Sequence, residues 1–185
     1  MSRLMMSFAL LGLLIGSVHA ADSECLKEGD SIGAFYVTKV AGAENDGVES
    51  GEQLCYRCRY GSRPMVMVFA RNTGGKVGAL VKELDAAIAD NKSEQLKGLV
   101  TLMGEDAAAL KETAMKVAKK SGAKNIPVVV AKDNVSGPSN YKIDAKSAVT
   151  VIVANEGEVV ASHAFDTAKK VDVAAVLGDV KKMLN

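Results

Sequence analysis

Two cysteines spaced as Cys55-Tyr56-Arg57-Cys58 are the residues of this chain best suited to chemistry. A C-x-x-C pair can close into a small disulfide ring and reopen under thiolate attack, which is two-electron redox chemistry. Local conformation decides whether it closes. On a regular strand, residues three apart face opposite sides, and at ~3.3 Å rise per residue their Cα atoms lie ~10 Å apart. A disulfide needs less than ~7 Å. A turn at Cys55–Cys58 therefore closes the pair, and a straight strand keeps it open. The surroundings are cationic: Arg57, Arg59 and Arg63 flank the pair, and Glu52 is the only close acid. Cations favour the thiolate and draw a cysteine pKa from ~8.5 toward ~3.5–7.5, so these three arginines are expected to tune the pair.

Other residues offer less. Cys25 is the third cysteine, and from a loose leader it reaches either partner as a structural disulfide. Cys25, Cys55, Cys58 and His163 make a Cys₃His set by composition alone. His163 sits in an ordinary strand pattern, however, and no metal is expected. Met65 and Met67 share one strand face, which reads as core packing rather than soft-metal ligation. Thr73-Gly74-Gly75-Lys76 opens a helix whose free N–H groups, with Lys76, could hold a small anion. It lacks the spacing of a P-loop, and its plain reading is a flexible helix start capped by Thr73 or Asn72. No cofactor is expected.

The elements that must position these groups are legible from pattern. Gly29–Val40 reads as a turn and a strand, and Ala41–Gly51 as a loop. Gln53–Tyr60 reads as a second strand or hairpin arm, with Tyr56, Cys58 and Tyr60 on one face. Met65–Ala70 is a continuous apolar run that suits a central strand buried on both faces. Val77, Leu80, Val81, Leu84 and Ile88 recur at helical spacing. Leu96–Met103 is a strand, and Asp106–Ser121 a helix stopped by Gly122. Ile126–Ala131 is a buried strand. Val149–Ala154 and Val159–Phe165 flank a tight turn at Asn155–Glu158. Thr167–Leu184 is the last helix. Strands alternating with helices imply parallel pairs, and the closing hairpin an antiparallel one.

Length and composition set the frame. The 185 residues suffice for one ordinary domain, and 48% apolar with 24% charged residues exclude a disordered or collagen-like chain. A net charge of +1 argues against nucleic acid or an anionic membrane as an obligate partner. Met1–Ala20 has the build of a secretory signal peptide: basic Arg3, a short apolar run, and small residues ending at Ala20. The run is too short to span a bilayer, which takes ~20 apolar residues. Export is therefore expected, to a periplasm or the extracellular space, where disulfides persist. Residues 21–28 read as a flexible leader and 29–185 as one domain.

The mature sequence resembles the thioredoxin-like superfamily, in particular its redoxin and peroxiredoxin-like branch. Gly29-Asp30-Ser31-Ile32 with Phe35, then Pro64–Phe69, then Val149–Val153 with Asn155–Glu158, carry the resemblance. It implies an α/β domain, a mixed sheet flanked by helices, here with an N-terminal β-hairpin extension. It also implies a Trp-Cys-x-x-Cys segment after the central strand and a cis-proline before the closing hairpin. This chain has Arg71–Lys76 in the first place and Ala148 in the second. Two functions are therefore open. One is thiol–disulfide chemistry at a displaced Cys55–Cys58 site, with a protein or small thiol or disulfide as partner. The other is a non-catalytic binding or structural module in which the cysteines are structural.

Overall fold

The computed structural model describes residues 25–185; the expected signal segment Met1–Ala20 lies outside the described residues. The strands are β1 (Val37–Gly42), β2 (Gln53–Leu54), β3 (Met65–Ala70), β4 (Lys97–Leu102), β5 (Pro127–Ala131), β6 (Val149–Asn155) and β7 (Glu158–Phe165). The helices are α1 (Tyr56–Tyr60), α2 (Val77–Asp90), α3 (Ala107–Ser121) and α4 (Val173–Leu184), with a 3₁₀ turn at Ser139–Tyr141. One seven-stranded sheet runs β2-β1-β5-β4-β3-β6-β7. β3, β4 and β5 are parallel, and the pairs β3–β6, β6–β7, β1–β5 and β1–β2 are antiparallel.

β3 is the axis of the sheet because every one of its residues is apolar and all six are buried. Its side chains divide by strand alternation. Val66, Val68 and Ala70 join the core under α2, α3 and α4, while Met65, Met67 and Phe69 join a second core on the opposite face. The crossovers β3–α2–β4 and β4–α3–β5 step the same way across the sheet. Right-handed connections therefore place α2 and α3 on one face, and α4 packs beside α2. That leaves the second face to short pieces: residues 26–36, α1 and the Ser139–Tyr141 turn. Phe35, Phe69 and Tyr141 fill it, with ring centroids 5.0–5.7 Å apart.

The expected β-hairpin extension is present as β1 and a two-residue β2, and the closing hairpin turns as its sequence dictates. Glu156 and Gly157 both have positive φ, 52° and 87°, the pair of left-handed residues that a two-residue hairpin loop requires. Buried polar groups tie the helical layer to the sheet. Asp85 of α2 accepts the Asn125 and Ile126 N–H groups at 2.7 and 2.9 Å, and Asn125 Nδ2 at 2.9 Å, which fixes the approach to β5. Asp106 and Asp172 cap α3 and α4 by accepting backbone N–H groups. The last helix begins at Val173, later than Thr167, because Asp172 rather than Thr167 supplies the cap.

Candidate functional site

Gln53–Tyr60 is not the second strand expected from its sequence. Only Gln53 and Leu54 pair with β1, and the chain then turns into α1. Cys55 is the N-cap of that helix. Its carbonyl accepts the Arg59 N–H at 3.0 Å, and its Sγ accepts the Cys58 N–H at 3.1 Å. Turning brings the two Cα atoms to 5.2 Å, and Cys55 and Cys58 are joined as a disulfide. The two sulfurs have unlike surroundings. Cys55 is 8% exposed, whereas Cys58 lies on the exposed side of the turn and not on the buried face with Tyr56 and Tyr60.

A five-residue helix has no stability of its own, so long-range contacts hold α1 in place. Tyr56 and Tyr60 stand one turn apart and enter the second core together, their ring centroids 5.5 Å apart. The Tyr60 hydroxyl donates to the Gly98 carbonyl at 2.9 Å. The Tyr56 hydroxyl donates to Asp46 Oδ2 at 2.6 Å. Asp46 Oδ1 in turn accepts from Lys39 Nζ at 2.7 Å and from the Val48 N–H at 2.9 Å. Lys39 is 4% exposed, and its ammonium also donates to the carbonyls of Ala43 and Val48, so the buried charge is fully partnered. Lys39 and Asp46 escaped sequence reasoning. The available signal was that Lys39 shares the inward face of β1 with Val37.

The three arginines surround the pair but bond elsewhere. Arg57 donates to the carbonyls of Ile32 and Gly61, Arg59 to that of Asp46, and Arg63 to Gln95 Oε1 and the Tyr60 carbonyl. They fasten α1 to its neighbours, and none donates to a cysteine sulfur. Burial pushes the Tyr56 phenol far above its ordinary value, with the Asp46 hydrogen bond adding to the effect. Burial does the same to Tyr60 and Tyr141. All three phenols are therefore neutral hydrogen-bond donors and packing groups, not bases.

The start of α2 lies at the other end of β3, roughly 17 Å along a six-residue strand. Its N-cap is Lys76, without a side-chain cap bond, and Asn72 Oδ1 instead accepts the Gly74 N–H at 2.8 Å. The expectation of an Asn72 or Thr73 cap is thereby corrected. The Lys76 N–H donates to the Ala168 carbonyl at 2.9 Å. Gly75 has φ 54°, and a Cβ there would come within 2.6 Å of the Ala168 backbone. The loop bearing Ala168 thus supplies, from within the chain, the acceptor for the Lys76 N–H at this helix entry. Ala148 faces this corner, its carbonyl accepting from the N–H groups of Arg71 and Asn72 at 2.9 and 3.3 Å.

The Cys₃His set is not brought together. Two of its sulfurs are bonded to each other, His163 Nε2 lies 2.9 Å from Asp179 Oδ2, and Cys25 is a buried free thiol. Among the described residues no group of three or more His, Cys, Asp or Glu could hold a metal ion, and no helix is long and apolar enough to cross a membrane.

No protein-family model and no curated protein matches the chain by sequence. Solved structures do match its shape. A thiol:disulfide interchange protein from Bacteroides sp. superposes with a TM-score of 0.61 at 15% identity, over 86% of this chain and 91% of that one. Mycobacterium tuberculosis AhpC gives 0.63 at 11% identity, over 86% and 93%. A thiol-disulfide oxidoreductase from Bacteroides fragilis gives 0.57 at 18% identity, over 83% and 98%. The fold is thioredoxin-like. Within this thioredoxin-like frame, the corner after the central strand is Arg71–Lys76 facing Ala148, without a sulfur. The disulfide stands at the opposite end of β3.

The buried phenols give the site a pH signature. Each stays protonated in the folded chain while its unfolded counterpart ionises near pH ~10, so the folded state holds more protons above that pH. Stability then falls as pH rises past ~10, by up to ~1.4 kcal/mol per pH unit for each tyrosine. Urea midpoints measured between about pH 9 and about pH 11 should drop steeply, with phenolate absorbance from three tyrosines appearing only on unfolding. Phenolate from all the tyrosines in the still-folded chain would contradict this.

Proposed function

We propose that this chain is an exported thioredoxin-like protein that exchanges thiols and disulfides through Cys55 and Cys58. Protein or small-molecule thiols and disulfides are its substrates. The observation that carries the reading is a closed C-x-x-C bridge with Cys58 at the surface. Thiol–disulfide exchange needs an accessible sulfur and a leaving sulfur that can be stabilised, and the Cys58 N–H already points at Cys55 Sγ. The solved structures of like fold include proteins named for this chemistry. In them the fold is shared and the sequence is not, so the position of the site rests on the residues of this chain.

One observation favours a second reading, a purely structural bridge: the disulfide closes the only turn of a five-residue helix. Exchange assays separate the two. The reduced protein should reduce an aromatic disulfide reporter and a disulfide-bonded peptide at neutral pH. Cys55→Ser and Cys58→Ser should lose turnover by at least about a hundredfold, while Cys25→Ser retains it. Equal rates in all three variants would leave the structural clamp as the function of the bridge.

Export rests on Met1–Ala20, with its basic start, apolar run and small residues before Ala21. Expressed in a host with a secretory pathway, the protein recovered from the periplasm or medium should begin at Ala21. Retention in the cytoplasm with Met1 intact would refute export.

A further inference from the structure

We propose that the exchange runs with fixed polarity: Cys58 is the sulfur that outside thiols attack, and Cys55 is the sulfur that leaves and later resolves. This rests on the exchange reading above and adds which sulfur meets the substrate.

Three features of α1 lead there. Displacement at sulfur proceeds in line, so the incoming thiolate must approach along the extension of the S–S bond. Cys58 is an exposed residue, so an incoming thiolate reaches it without crossing the core. For attack on Cys55 it would come past a residue that is 8% exposed, seated beside the buried Tyr56. The second feature is the leaving group. Cys55 Sγ already accepts the Cys58 N–H at 3.1 Å, so charge developing on Cys55 meets a donor already in place. A better-stabilised leaving thiolate departs faster. The third feature is anchoring. Tyr56, next to Cys55, is bound through Asp46 to the buried Lys39, so the Cys55 side of the ring is held while Cys58 faces outward.

The steps balance. A substrate thiol loses its proton to solvent, and the thiolate attacks Cys58 Sγ. The Cys55–Cys58 bond breaks, a mixed disulfide forms on Cys58, and Cys55 leaves as a thiolate. A second substrate thiolate attacks the substrate sulfur of the mixed disulfide and releases Cys58. Two substrate thiols become one disulfide, and the two electrons reduce the protein pair. In reverse, Cys58 thiolate opens a substrate disulfide and Cys55 displaces the product.

The test traps the intermediate in the unmutated protein. Oxidised chain is mixed with reduced glutathione, quenched with N-ethylmaleimide and mapped without reduction, where cleavage after Arg57 puts the two cysteines on separate peptides. The expected product carries glutathione on Cys58 and maleimide on Cys55. Glutathione on Cys55, or an even split, would overturn the polarity and leave the exchange reading standing. A bridge that stays closed in the folded chain even under excess dithiothreitol would overturn the exchange reading itself. As a second readout, in a Cys25→Ser background, Cys58 of the Cys55→Ser variant should react with an aromatic disulfide at least about tenfold faster than Cys55 of Cys58→Ser. The reverse ranking counts against the polarity.

Discussion

The structure around the disulfide depends on one carboxylate. Asp46 accepts from a buried ammonium, a buried phenol and a backbone N–H, and so joins β1, the loop that follows it and α1 at a single point. A buried lysine without that partner would carry an uncompensated charge, which costs ~3–5 kcal/mol. The arrangement therefore has little freedom to shift. The single turn of α1 borrows its rigidity from this point and from the Tyr60 bond to Gly98, and the disulfide ring sits on that turn. The hairpin turn at Glu156–Gly157 closes the same end of the sheet: Gly157 O accepts the Ile32 N–H, and the Glu156 N–H donates to Ser62 O.

The sheet then separates two ends with different chemistry. At the C-terminal end of β3, the corner where the fold ordinarily places its cysteines is occupied by the chain's own backbone, through Ala148 and Ala168. At the N-terminal end, a bonded pair of cysteines lies on a surface turn, framed by three arginines that are themselves tied to carbonyl and amide oxygens. A redox reading must therefore place the reaction at the second end.

Much of the frame was legible in the sequence. The unbroken apolar run of β3, the helical spacing of Val77 to Ile88 and the Asn155–Glu158 turn each obey one period and one burial pattern, and each element formed as expected. The site region was not legible, for a specific reason. Tyr56 and Tyr60 are four residues apart, a spacing that puts them on one face of a strand and also on one face of a helix. Local pattern cannot choose between these. The choice is made by contacts distant in sequence, Tyr56 with Asp46 and Tyr60 with Gly98. It reverses the placement of Cys58, from the shared face of a strand to the exposed side of a turn. The Lys39–Asp46 pair was hidden for the same reason, since a lysine in a strand reads as solvated until its partner is known.

An exchangeable Cys55–Cys58 bridge and a permanent clamp differ in how readily the folded chain gives up the bond. The most direct measurement is its reduction potential, read by equilibrating the folded protein in dithiol–disulfide buffers and counting free thiols at Cys55 and Cys58. An exchangeable bridge titrates at a midpoint above about −300 mV, within reach of physiological dithiols. A midpoint below about −300 mV, or a bridge that opens only when the chain unfolds, would contradict the account.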